Sequence, residues 1–165
     1  MTSLDTRTPG AGAPAAAPAF PEGRVDPRGP QFAAVLTTGV LAVVLATAPS
    51  TFATVLLAVQ AVLFASGALL GVARTPYGWL FRTLVRPRLA APREWEDAAP
   101  PRFAQTVGLV FAVVGLVGLA SGATLVGLVA VGFALAAALL NAVFGFCLGC
   151  EMYLALRRLT GPRTA

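Results

Sequence analysis

Residues 29–73 read GPQFAAVLTTGVLAVVLATAPSTFATVLLAVQAVLFASGALLGVA, 45 positions without one charged side chain. As a helix, at about 1.5 Å per residue, such a run would be roughly 68 Å long, about twice a 30 Å hydrocarbon core. It must therefore fold back once. Ala48-Pro49-Ser50 is the place, because Pro ends a helix and Ser caps the next. This sets helices over about 31–48 and 51–73. A second uncharged run, 48 residues from Phe103 to Cys150, obeys the same arithmetic. Ser121-Gly122 marks its turn and sets helices over about 103–120 and 123–146.

Working outward, the fold class is all-α: an integral membrane four-helix bundle made of two helical hairpins, spanning about 25–158 as one domain. Of the 165 residues, 57% are hydrophobic and 12% charged, with mean hydropathy +0.79. The charged share is about half that of an ordinary soluble domain. A soluble fold of this size has no interior large enough for so much apolar surface, whereas lipid accepts it on the outside. Residues 1–24 are a Pro- and Ala-rich tail expected to be disordered. They show neither the apolar core nor the cleavage site of a signal peptide. Residues 159–165 form a short second tail.

Charge sets the orientation. All twelve basic residues are Arg. Six of them (Arg74, Arg82, Arg86, Arg88, Arg93 and Arg102) lie in the loop 74–102 between the hairpins, and the rest lie in the two tails. The hairpin turns carry no charge. A four-span chain puts every Arg on one side, and the positive-inside bias makes that side cytoplasmic, with both termini. Tyr77, Trp79, Trp95 and Tyr153 fall at the same boundary, where amphipathic rings sit. The net charge of +5 thus reads as topology rather than nucleic-acid binding. Arg without Lys or His, in a chain rich in Ala, Gly and Val, points to a GC-rich bacterial genome and so to the bacterial plasma membrane.

The hairpins resemble each other. Asp26-Pro27-Arg28-Gly29-Pro30-Gln31-Phe32-Ala33 precedes the first, and Asp97-Ala98-Ala99-Pro100-Pro101-Arg102-Phe103-Ala104 precedes the third helix, at an offset of 71. Gly78 and Gly149 stand at the same offset. The reading is a parallel duplication. Thr75-Pro76 breaks helix 2, and at this offset Pro76 corresponds to Cys147. Helix 4 then breaks near Gly145-Phe146, with Cys147 opening a short helix to Leu156; one continuous helix to 156 also fits the sequence.

Chemistry centres on Cys147-Leu148-Gly149-Cys150-Glu151. Two thiols three residues apart share a helix face and have the spacing of redox pairs. At a helix N-terminus Cys147 would be favoured as thiolate, with Glu151 working against it. The plain alternative is two small inert core residues. A metal would need more ligands than two thiolates and a carboxylate, hence a homodimer or another partner. With no His there is no ready general base near neutral pH. Asn141 and Gln60 are amides inside apolar helices, either interhelical contacts or walls of a polar cavity. On a straight helix Asn141 and Cys150 face apart. Gly118 and Gly122 have GxxxG spacing, read as packing within the bundle. Arg74, Arg82, Arg86 and Arg88 are candidates to contact an anion, though topology already explains them. No phosphate loop, catalytic triad or carboxylate pair is visible, and no cofactor is expected.

The segments Asp97 to Gln105, Asn141, and Cys147-Leu148-Gly149-Cys150-Glu151-Met152-Tyr153 resemble the bacterial membrane family called domain of unknown function 4395. The resemblance covers about 24–158. It implies a four-span membrane protein and an association with thioredoxin-like or sulfurtransferase proteins. Three functional readings follow. In the leading one Cys147 attacks and Cys150 resolves, exchanging electrons or sulfane sulfur with a cytoplasmic partner of thioredoxin or rhodanese type. The others are a small transporter, or transporter subunit, for a sulfur-containing solute, and a structural subunit whose Cys pair binds metal across a dimer.

Overall fold

The computed structural model describes residues 23–92 and 94–160. Arg93 and most of both expected tails lie outside the described residues. Six helices make the fold: α1 (Arg28–Thr47), α2 (Thr51–Leu70), α3 (Pro76–Leu80), α4 (Ala99–Ala120), α5 (Thr124–Phe144) and α6 (Leu148–Thr160). Of these, α1, α2, α4 and α5 are long and apolar enough to cross a membrane. Their outward faces carry Val55, Val62, Leu69, Leu125, Phe133 and Phe144, each more than half exposed. A surface of that kind suits lipid rather than water. The protein is a multi-pass membrane protein.

Capping chemistry sets the helix ends, and several differ from the charge-based boundaries. α1 starts at Arg28 rather than 31, because Asp26 Oδ1 accepts the Arg28 N–H at 3.0 Å. α4 starts at Ala99 rather than 103, because Asp97 Oδ1 accepts the Ala99 N–H at 2.9 Å. Pro30, Pro100 and Pro101 stand in first turns, where a missing N–H costs no helical bond. α2 stops at Leu70 rather than 73, because Gly71 takes φ +89° and a single 3₁₀ turn, Val72–Arg74, follows. At the first hairpin turn Ser50 Oγ accepts the Ala53 N–H at 3.2 Å, and Ala48–Pro49 is cis. The loop 74–102 is largely structured: from Pro76 the backbone stays helical through a π turn at Phe81–Val85 to a 3₁₀ turn at Arg86–Arg88.

Around the bundle α1 touches α2, α2 touches α4, α4 touches α5, and α5 closes back on α1. Leu41, Val44, Leu57, Ala112 and Val131 are almost wholly buried between them. α4 and α5 cross backbone to backbone: a Cβ on Gly118 would stand 2.6 Å from the Gly127 nitrogen. Gly118 therefore serves packing within the bundle.

The two halves are related by a pseudo-twofold axis. Asp26 and Asp97, 71 residues apart, make the same helix-starting bond. Phe32 packs on Phe81 at 5.9 Å between ring centroids, and Phe103 packs on Tyr153 at 5.7 Å. The strands β1 (Arg24–Val25) and β2 (Glu96–Asp97) pair antiparallel, with Val25 opposite Glu96. Glu96 is the counterpart of Val25 at offset 71, and a residue opposite its own counterpart lies on a twofold axis. Arg24 belongs to this ladder rather than to the tail.

Candidate functional site

α5 ends where Gly145 adopts φ +67°, its N–H donating to the Asn141 carbonyl at 3.0 Å. A glycine takes this left-handed conformation at little cost. The chain then turns through Phe146 to Cys147. The Cys147 carbonyl accepts the Glu151 N–H at 3.0 Å, and its sulfur accepts the Cys150 N–H at 3.4 Å. Cys147 thus caps α6, and the last spanning helix is broken rather than continuous.

Cys147 and Cys150 are joined by a disulfide, with Cα atoms 5.2 Å apart. That separation is within the ordinary range for a bridge. Gly149, inside the loop of the bridge, lets α6 lie directly on α4: a Cβ there would stand 2.7 Å from both Cα and Cβ of Ala104. The Phe103–Tyr153 ring pair holds the next turn, and the Arg157 guanidinium lies 5.9 Å from the Tyr153 ring. Glu151 is exposed in the first turn of α6.

A cavity of about 250 Å³ lies among α1, α4 and α5, and α6 closes its end at the membrane boundary. Cys147 and Gly149 line it from α6, and Thr37, Gln105 and Asn141 supply its polar wall. The rest of the lining is mostly Ala, Pro and Phe. The break at Gly145 is what brings Asn141 and Cys147 to one space. Gln105 went unmarked in the sequence reading, although it is an amide in an apolar helix as Gln60 is; the same criterion would have found it.

Gln60 sits elsewhere and acts differently. It is only 1% exposed, its Nε2 donates to Thr37 Oγ1 at 3.5 Å, and its Oε1 accepts from the Tyr77 hydroxyl at 3.1 Å. Burial pushes the Tyr77 phenol above its ordinary pKa. These three side chains lock the interfacial segment to the first hairpin. At offset 71 their counterparts are Gly108, Val131 and Leu148, which can form no such lock. Gly108 and Leu148 instead line the cavity.

The loop arginines bind backbone. Arg82 donates to the Ala73 carbonyl and Arg88 to that of Leu84. Arg102 donates to the carbonyls of Ala68 and Leu69 at 3.1 and 3.0 Å, capping α2. Arg86 stacks over Trp95 at 5.7 Å. Arg74 is exposed, and none of these arginines lines the cavity beside the thiol pair. No group of three His, Cys, Asp or Glu able to hold a metal occurs among the described residues.

Four apolar spans with a cysteine pair on the cap of a boundary helix define the class: a polytopic α-helical membrane protein with a membrane-edge disulfide. The family model for Domain of unknown function (DUF4395) matches residues 25–158, and the chain belongs to that family. No curated protein and no solved structure matches the chain.

Proposed function

We propose that this is a membrane-bound thiol–disulfide protein of the bacterial plasma membrane. Through Cys147 and Cys150 it exchanges electrons or sulfane sulfur with a cytoplasmic partner of thioredoxin or rhodanese type. The observation that carries the reading is the disulfide on the capping turn of α6, at the arginine-rich end of the bundle. A bridge facing a reducing compartment is usually transient and catalytic rather than structural.

Cys147 is the attacking thiol. In the dithiol state the Cys150 N–H and the N-terminal end of α6 both favour negative charge on its sulfur. For electron exchange, a partner thiolate attacks the bridge and forms a mixed disulfide. The partner's second thiolate then releases the dithiol, so the bridge gains two electrons and two protons. For sulfur exchange, the Cys147 thiolate takes the outer sulfur of a partner persulfide. Cys150 then displaces that sulfur as hydrogen sulfide and the bridge re-forms.

The test is gel-shift labelling with maleimide-polyethylene glycol on intact cells and inverted vesicles, with and without reduction. Thiols that appear only after reduction, label only from the cytoplasmic face, and disappear in the Cys147→Ser/Cys150→Ser protein support the reading. Thiols that resist labelling until denaturation, reduced or not, sink it. Asn141 in the cavity wall favours one second reading, transport of a sulfur-containing solute. Uptake of labelled thiosulfate into proteoliposomes no faster than into empty ones dismisses it.

A further inference from the structure

We infer that the cavity against Cys147 binds the ring of a lipid-soluble para-quinone, which re-oxidises the cysteine pair. The inference rests on the thiol-exchange reading and supplies its missing half. A bridge reduced by a cytoplasmic dithiol must be remade, and the reducing compartment offers no ready oxidant. The oxidant then comes from the membrane, so it is apolar and takes two electrons.

The cavity fits such a molecule. Its polar groups are uncharged: the Gln105 and Asn141 amides and the Thr37 hydroxyl, all able to donate to a neutral carbonyl oxygen. Phe64, Phe111 and Phe133 present ring faces or edges to a flat aromatic-sized guest. Charged oxidants find no counter-charge there. A space of about 250 Å³ takes one substituted ring and excludes a folded polyprenyl tail. The tail has an exit. Phe133, Leu148 and Met152 line the cavity and are also 61%, 43% and 49% exposed, so this rim faces lipid. The reacting sulfur is in the wall, since Cys147 lines the cavity directly.

The step balances. The Cys147 and Cys150 thiols lose two protons and two electrons and form the S–S bond. The quinone gains them as two O–H bonds and leaves as quinol. Over a full cycle one partner dithiol and one quinone become one partner disulfide and one quinol.

The experiment uses the full chain in nanodiscs, reduced and freed of reductant, with ubiquinone-1 as the probe. Oxidation of the thiols and loss of quinone absorbance are followed together, and reduction of the bridge by a bacterial thioredoxin is measured in the same preparation. The expected result is saturable oxidation consuming one quinone per chain. Ala138→Phe, which fills the cavity, should lower the ratio of quinone-driven oxidation to thioredoxin-driven reduction at least tenfold. Asn141→Leu, which removes an amide without filling the space, should raise the quinone concentration for half-maximal rate. If thioredoxin reduces the bridge but ubiquinone-1 never remakes it, the quinone inference is overturned and thiol exchange survives. Equal ratios in wild type and Ala138→Phe also overturn it, because the reaction then lies outside the cavity. If neither thioredoxin nor quinone acts on the pair, both readings fall.

Discussion

Replacing Gly149 with Ala probes the joint on which the thiol pair rests. A Cβ at 149 would lie 2.7 Å from Cα and Cβ of Ala104. Carbon atoms in good contact stand about 3.5–4.0 Å apart, so the overlap is roughly 1 Å. One of the overlapped atoms is backbone of a spanning helix, and no rotamer change relieves it. α6 must lift from α4 or tilt. Overpacking of this kind costs about 1–3 kcal/mol. Ala in place of Gly within a helix returns up to about 1 kcal/mol. The net loss should be about 1–2 kcal/mol, felt at the α6–α4 joint rather than across the bundle.

Hydrogen exchange on the nanodisc-embedded protein reads this directly. Amides of α6 should exchange roughly 5- to 30-fold faster, since about 1.4 kcal/mol is a factor of ten. Those of α2 and of the α4–α5 crossing should not change. Gly149→Val should lose more, because two further carbons meet α4. Ala104→Gly should restore part of the loss in Gly149→Ala, since it removes the overlapping Cβ but leaves the Cα. Protection of α6 within a factor of two of wild type in both Gly149 variants would refute the direct seating of α6 on α4.

Three further outcomes are expected. Cys150→Ser should trap a mixed disulfide between Cys147 and a bacterial thioredoxin bearing a single reactive cysteine, seen as a non-reducing gel shift; Cys147→Ser should trap far less. Tyr77→Phe should cost about 1 kcal/mol by leaving the Gln60 oxygen unpaired, measured by denaturant titration in detergent. Because the Tyr77 pKa is raised, the wild-type contribution is whole below pH 10, the ordinary value, and is lost as pH climbs through the raised one; Tyr77→Phe should remove that alkaline loss. Arg102→Ala should fray the last turn of α2 by about 0.5–1.5 kcal/mol, read as faster exchange of the amides that end that helix.

Much of the site was legible in the sequence for local reasons. The C-x-x-C spacing is a property of neighbouring residues, and so is the glycine that breaks the helix before it. Asn141 stood out because an amide is rare in an apolar run. The partners of these residues were not legible. Gln60 and Asn141 look alike in sequence, yet one is tied to Thr37 and Tyr77 while the other borders a cavity. The difference arises because Tyr77 follows a break that aims it into the bundle, whereas its repeat counterpart Leu148 has no hydroxyl to offer. Arg82, Arg88 and Arg102 likewise read as charge, while in the fold they satisfy carbonyls left open where helical turns end.

By itself the sequence determined the number of spans, the hairpin turns and the gathering of arginine at one boundary. Those follow from hydropathy, charge and Pro or Ser at fixed positions, all of which act over a few residues. Only the tertiary structure decided that Cys147 caps a separate helix and is bridged to Cys150, that Gly149 seats this helix on Ala104, and that a cavity opens beside the pair. Each of these depends on atoms tens of residues apart in sequence, or on the exact angle at which one glycine ends a helix, and hydropathy does not encode such distances.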